Sequence, residues 1–306
     1  MNPKPVLFTL YENDYHYGVA ALINSALHCG FPGEVHVFHR GGLPPWAGSL
    51  ERTDQDGGFV VGGVPVTFQN INPLRHLGYH KPFAALEVLD KYSQCQAVFY
   101  CDPDLVFLSP WEFFEDWVGQ GVAVCQDSHF PFLSADHPWR AEWRQLLVAA
   151  GQRVVTDSPY ANGGFFGVSR RDAEFLRIWS EVTLAYESTG NDTREFRMSE
   201  RHRAVVGCQD LMSASLMGWG GPRSTVGPEG MGFTGYHFLL SHDINHPKAW
   251  RCPFIRRALG GYPPTRAAGL FLEQSDGPIR AFSRGQLAIK KLSYRVGQLI
   301  SRVWRR

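Results

Sequence analysis

Asp102-Pro103-Asp104 sets two carboxylates one residue apart, between the apolar runs Val98-Phe99-Tyr100-Cys101 and Leu105-Val106-Phe107. If residues 98–101 form a buried strand, a turn at Pro103 brings both carboxylates to the carboxyl edge of a sheet, where open α/β sheets bind ligands. Paired hard oxygen donors suit Mg²⁺ or Mn²⁺, and an ion held by so few carboxylates keeps open positions for phosphate oxygens. The bland alternative is a solvated turn, because Asp and Pro are common turn residues. A second group lies downstream, where residues 241–250 (SHDINHPKAW) gather His242, Asp243, His246 and Lys248. Imidazole is a common metal ligand and a lysine ammonium a common phosphate binder. A metal and a lysine together are what a diphosphate leaving group requires, since both neutralise charge developing on its oxygens. The alternative here is a surface loop with Trp250 packed beneath it.

The elements that must position these groups are legible in the hydrophobic pattern. Residues 5–11 (PVLFTLY) read as a buried strand, 17–29 as a helix that stops at Gly30 and Pro32, and 34–40 (EVHVFHR) as an alternating strand. Residues 41–58 look like loop and 59–68 like strand. Residues 81–92 carry helical periodicity with Phe83, Leu86 and Leu89 on one side, leading into the strand that ends at Asp102. Residues 122–124 form a further strand ending near Asp127. This alternation predicts an α/β fold with a mostly parallel central sheet flanked by helices. In the second half, 139–150 and 172–187 read as helices, 161–169 (ANGGFFGVS) as a glycine-opened strand, 188–203 as an exposed loop, 209–217 as a short helix and 218–235 as connection.

The 306 residues suffice for one α/β domain with an appendage, and 44% hydrophobic with 19% charged residues describes a globular chain. No stretch reaches the length of apolar sequence that a membrane-spanning helix needs, and the first residues run into a strand-like segment instead of a signal-peptide core. The expectation is a cytoplasmic protein. Its six cysteines include no C-x-x-C pair, so neither a zinc site nor a disulfide framework is indicated.

In the order and separation of its motifs the chain resembles nucleotide-sugar glycosyltransferases of the GT-A fold, and is most similar to family 8, the retaining galactosyl- and glucosyltransferases. The resemblance rests on Phe8-Thr9-Leu10-Tyr11-Glu12-Asn13-Asp14-Tyr15 through Leu22-Ile23-Asn24-Ser25, on Asp102-Pro103-Asp104, on Ala161-Asn162-Gly163-Gly164-Phe165-Phe166-Gly167-Val168, and on Gln209-Asp210-Leu211. The spacing from His242 to Lys248 and Trp250 is similar to the family's H-x5-K-P-W element. Two positions depart from the pattern: Ala249 stands in place of the proline, and Cys208 where many members carry an acidic residue.

The resemblance implies a Mn²⁺ or Mg²⁺ ion held by Asp102, Asp104 and His242, with Lys248 neutralising the donor diphosphate. His242 is preferred to His246 because only His242 has the required offset to Lys248 and Trp250. Thr9, Tyr11 and Glu12 fall where the family contacts base and ribose, although Tyr11 at a strand end is as easily a packing residue. Lys81 is similar to a basic residue near the donor sugar or phosphate, its alternative being an exposed lysine opening a helix. Asp127 would accept from sugar hydroxyls, and Asn162, Gly163 and Gly164 would offer an amide and close backbone approach to the sugar. Gln209 and Asp210 fall beneath the anomeric carbon, and Asp210 alternatively caps the helix it begins. The implied reaction moves a hexose from a UDP-sugar to a hydroxyl acceptor, with retention by same-face attack or through a covalent intermediate. Competing readings are a sugar-phosphate nucleotidyltransferase, for which residues 11–14 (YEND) lack the glycine-rich basic loop, and a non-catalytic carbohydrate-binding protein of the same fold.

On this reading residues 1–270 form the catalytic domain, with a nucleotide-binding half at 1–127 and a sugar and acceptor half at 128–270, and residues 271–306 form a basic tail. The chain's formal charge of +1 conceals eight basic and no acidic residues over 277–306, leaving −7 for the remainder. Within residues 286–306, Ile289, Leu292, Val296, Leu299, Ile300 and Val303 recur at helical spacing opposite Lys291, Arg295, Arg302 and Arg306. A basic amphipathic helix ending in Trp304 is the expected form of an interfacial anchor on anionic lipid, with a lipid-linked or lipopolysaccharide acceptor on the inner face of the cytoplasmic membrane. The alternative is a helix packed on the domain. No recognised nucleic-acid motif accompanies the basic tail, so nucleic acid is not an expected partner.

Overall fold

The computed structural model describes residues 4–54, 57–128, 134, 136–196, 203–236 and 238–304. The strands are β1 Val6–Glu12, β2 Glu34–Arg40, β3 Glu51–Arg52, β4 Gly58–Val61, β5 Val64–Asn70, β6 Ala97–Cys101, β7 Leu105–Phe107, β8 Val122–Gln126, β9 Ala161–Ser169, β10 Arg223–Val226 and β11 Leu240–His242. The α-helices are α1 His16–His28, α2 Leu77–Lys91, α3 Trp111–Gly119, α4 Pro138–Ala149, α5 Glu174–Ser188, α6 Cys208–Gly218, α7 Phe254–Leu259, α8 Arg266–Gln274 and α9 Arg284–Trp304.

One sheet has the order β10-β8-β9-β6-β1-β2-β5-β4-β3. Its pairings make β9 and β4 run against the other strands, so the sheet is mostly parallel and flanked by helices. β1 and β6 are buried on both faces, as strands covered by helices on either side must be. From β1 the chain moves outward to β2 and β5, then crosses back through α2 to enter β6 on the other side of β1. The order therefore reverses between β1 and β6, and the crevice outside their carboxyl ends is where such sheets accept ligands. Glu12 closes β1 and Asp102 follows β6, so both flank that crevice.

A separate two-stranded ladder, β7 with β11, is antiparallel and pairs Leu105 with His242 and Phe107 with Leu240. One large apolar cluster joins Phe8, Tyr100 and Phe166 to α2, α4, α5 and α6. A second joins Leu7, Phe99 and Phe165 to α1 and α3. A third surrounds Trp250 and Phe271 beside α8.

Several sequence expectations change in detail. The single strand at 59–68 is a hairpin, since Gly62 and Gly63 take φ of +56° and +83° and turn β4 into β5. The connection at 218–235 contains β10, and the loop at 41–58 contains β3. Both are short and partly or wholly exposed, so neither shows an apolar alternation. α2 starts at Leu77 rather than at residue 81, with His76 Nδ1 accepting from the Gly78 amide at 3.0 Å. Helices α3, α7 and α8 were not anticipated. β9 and β10, from beyond residue 127, join the same sheet as the strands of the first half, β9 lying between β6 and β8, and residue 270 falls inside α8. The expectations that fall on 1–3, 197–202, Arg305, Arg306 and the side chain of Trp304 lie outside the described residues. Among the described residues no helix is long and apolar enough to cross a membrane.

Candidate metal and phosphate site

The turn after β6 and the end of β11 meet. His242 Nε2 lies 3.1 Å from Asp104 Oδ1 and 3.9 Å from Asp102 Oδ2. Potential ligand atoms of Asp102, Asp104 and His242 all lie within 4.8 Å of one another. The local cause is the β7–β11 ladder: pairing Leu105 with His242, and the bond from the Asp243 amide to the Asp104 carbonyl at 3.0 Å, hold the two segments in register.

Each carboxylate of the turn already has a buried cation. Lys81 Nζ donates to Asp102 Oδ1 and to the Gly163 carbonyl, both at 2.8 Å. Tyr100 Oη donates to the same Asp102 oxygen at 2.5 Å. Lys248 Nζ donates to Asp104 Oδ2 and to the Asp243 carbonyl, both at 2.6 Å. Lys81, Asp104, His242 and Lys248 are all buried. Burial alone would raise the Asp104 carboxyl, but His242 and Lys248 prevail and hold it well below the usual carboxylate range. Burial alone would lower Lys81 and Lys248, yet Asp102 and Asp104 respectively outweigh it and raise both ammonium groups. Apolar packing would hold these elements together at no such desolvation cost, so this buried charge cluster at a strand end marks a candidate functional site.

Two cavities meet at this cluster. The smaller, about 360 Å³, lies against the end of β1 and is lined by Tyr11, Glu12, Tyr15 and Asp104. The larger, about 630 Å³, is lined by Asp127, Asn162, Gln209 and His242. Lys81, Asp102 and Phe196 line both. The Asp-Asp-His group therefore sits across their shared wall.

The glycines of β9 make this convergence possible. A Cβ on Gly164 would lie 2.6 Å from His242 Cε1, and one on Gly163 would lie 2.9 Å from Gln209 Cβ. Their missing side chains admit His242 and α6, and both glycines line the larger cavity as well. Asn162 Nδ2 donates to Asp127 Oδ2 at 2.7 Å, and its Oδ1 accepts from the Gly164 amide at 2.9 Å.

The remaining expected residues divide. Lys81 is buried in the second turn of α2 and is not an exposed helix-start lysine. Glu12 lines the smaller cavity while accepting from Arg40 at 3.0 Å. Tyr11 also lines it, but its ring is buried and stacked on His39 at 5.8 Å, so packing is its visible role. Thr9 is fully buried two residues back along β1 and reaches neither cavity, which removes it from the surface a ligand could touch. Asp210 caps α6: its Oδ2 accepts from the Val206 and Gly207 amides at 2.8 and 2.9 Å, and its Oδ1 from Tyr160 at 2.6 Å. Gln209 Nε2 donates to Tyr160 Oη at 2.7 Å. His246 lines the smaller cavity and is not part of the Asp-Asp-His group.

Sequence reasoning did not single out Tyr100, Tyr160 or Phe196. Tyr100 alone carried a signal, being two residues before Asp102 on a strand and so on the same face. Trp250 is tied to the turn after β1, where its Nε1 donates to Asp14 Oδ2 at 3.0 Å and Arg251 bridges both Asp14 oxygens.

The donor set fits a divalent ion. Two carboxylates suit Mg²⁺ and Mn²⁺, and the imidazole nitrogen favours Mn²⁺ of the two. His242 Nδ1 is buried without a hydrogen-bond partner, so the ring's polar engagement is through the nitrogen that faces the carboxylates. No model of a known protein family matches the chain, and none of the curated proteins is significantly similar to it.

Proposed function

We propose that the protein is a metal-dependent glycosyltransferase of GT-A type, moving a hexose from a nucleotide sugar, with UDP the expected carrier, to a hydroxyl acceptor. The observation that carries this reading is the Asp102-Asp104-His242 group on the wall shared by two cavities, with a buried lysine on each carboxylate. A nucleoside against the end of β1 and a sugar beside Asn162 and Asp127 would be joined across that wall by a diphosphate.

Asp102, Asp104 and His242 would hold Mn²⁺ or Mg²⁺, which supplies positive charge to the diphosphate oxygens when bound. With the ion bound, Lys81, which lines both cavities, and Lys248, beside Asp104, would offer positive charge to the phosphate oxygens of the departing nucleotide. Asn162 and Asp127 orient one another at the sugar side, and Gln209, pinned by Tyr160, presents its amide to the same cavity. Asp210 has both oxygens engaged in the α6 cap and Tyr160, and burial raises its carboxyl. That arrangement favours same-face attack, with the leaving phosphate taking the acceptor proton, over a covalent intermediate on Asp210.

The test is a screen of UDP- and GDP-sugars with and without Mn²⁺, read by thermal stabilisation and by donor hydrolysis. A ligand at a hundredfold excess over its Kd adds about 2.7 kcal/mol. Metal-dependent stabilisation by a nucleotide sugar, with slow hydrolysis, is expected; no stabilisation by any donor with metal present overturns the reading. Binding without hydrolysis or transfer to any acceptor would assign the protein to carbohydrate or nucleotide-sugar binding instead.

A further inference from the structure

Helix α9 is fastened to the domain along one narrow face. Leu287 is buried, the Tyr294 hydroxyl donates to the Thr265 carbonyl at 3.1 Å, and its ring meets Phe254 edge-on. A Cβ on Gly297 would come within 3.0 Å of the Phe254 carbonyl oxygen, so helix and domain are in close contact there. Lys290 Nζ donates to the Trp250 carbonyl at 2.6 Å, and Lys291 pairs with Asp276 at 3.5 Å. These contacts set the rotation of the helix. They turn Ile289, Leu292, Leu299 and Val303 outward, at 69, 62, 59 and 74% exposure. On α7, which packs against α9, Ile255 and Leu259 are exposed as well.

We propose that this outward face of α9, with the adjoining part of α7, docks in the plane of an anionic lipid bilayer. The sequence left open whether the tail meets a membrane or packs on the domain, and the fold lets it do both through different faces. Arg256, Arg284, Arg295 and Arg302 are exposed on the same two helices. Residues 277–306 contain eight basic and no acidic residues. An apolar stripe flanked by cations is the form that lies at the headgroup boundary, its charges drawn to anionic lipid. The rival occupant is a second copy, because the apolar positions 289, 292, 296, 299 and 303 alternate by three and four as a coiled-coil seam does. Charge decides between them: Arg295 and Arg302 would flank that seam with no acidic residue on the facing helix to meet them, whereas an anionic surface neutralises both. Through Lys290 and Trp250 the docked helix is fastened to the segment that bears Lys248. Taken with the transferase reading, on which this one step rests, docking in this way favours a lipid-linked acceptor.

The test needs no nucleotide sugar. The full chain is sedimented with vesicles of phosphatidylglycerol mixed into phosphatidylcholine and with vesicles of phosphatidylcholine alone, at low and high salt. Partition onto the anionic vesicles should be stronger by about tenfold or more, and should weaken with salt. Leu292→Ser with Leu299→Ser, both at exposed positions, should lower partition about tenfold while leaving the melting temperature unchanged. No binding to anionic vesicles, or binding unaltered in the double variant, overturns the proposal. So does a dimer by analytical ultracentrifugation that the same two substitutions dissociate, since a second copy would then cover the face.

Discussion

His242 Nε2 stands 3.1 Å from Asp104 Oδ1 across a sequence separation of 138 residues, and it does so because β11 pairs with β7 in a register that sets His242 opposite Leu105. The two lysines complete the relationship. Lys248 is six residues beyond His242 and occupies the other Asp104 oxygen, while Lys81 occupies Asp102. Two carboxylates thus face two buried ammonium groups, with the His242 ring against one of the carboxylates.

Removing half of a buried pair should therefore show itself twice. Asp104→Asn leaves Lys248 buried without its counter-charge and should cost roughly 3–5 kcal/mol in urea unfolding. Adding Lys248→Met should recover most of that stability while metal-dependent turnover stays lost. Turnover that returned with stability would confine Asp104 to packing.

Gly164→Ala tests the glycine as the gate for His242. A Cβ there would lie 2.6 Å from His242 Cε1 and 2.9 Å from Asn162 Oδ1, so the ring must shift. Mn²⁺ affinity, read by titration, should fall at least about tenfold, with a stability change of about 1–3 kcal/mol. Unchanged Mn²⁺ affinity would separate His242 from the metal.

Asp210→Asn distinguishes a cap from a nucleophile. An asparagine can still accept from the Val206 and Gly207 amides and meet Tyr160, so transfer should persist within about tenfold of the original rate, the tolerance expected of a residue that does not react. Asp210→Ala should cost about 1–2 kcal/mol through the lost cap. Loss of all transfer in a well-folded Asp210→Asn protein would restore the covalent route.

The pH dependence of stability should carry the signature of His36. Burial, with Lys91 nearby, pushes this imidazole down to about 4, and it sits between Tyr92 Oη at 2.9 Å and Gln69 Oε1 at 3.0 Å. Its folded pKa lies below its unfolded one near 6.5, so the unfolded chain binds the extra proton between them. The contribution is complete above about pH 6.5 and is lost as pH falls toward 4, worth up to about 3 kcal/mol. Urea midpoints of the original and of His36→Gln should diverge in slope over that window; parallel slopes would exclude His36 as the cause.

Much of this was written locally. Residues 34–40 alternate and become β2 over the same span, residues 161–169 become β9, and the apolar run before Asp102 becomes β6 with the turn at its carboxyl edge. A continuous apolar run marks a strand covered on both faces, and β6 is buried along its whole length. β10 and β3 were not legible because short, exposed edge strands bury too little to leave a pattern. The close residues of the site were legible as types and as one spacing, from His242 to Lys248.

What the chain alone determined was the kind of groups present and the strand end that carries Asp102 and Asp104. The tertiary structure decided their neighbours. The β7–β11 register brings His242 to Asp104, the reversal of strand order opens the crevice that Glu12 shares with Asp102, and the packing of Tyr294 and Gly297 turns the apolar stripe of α9 outward. Each is a contact between distant segments, whose choice depends on how whole elements fill space together, and a local hydrophobic period contains no information about that.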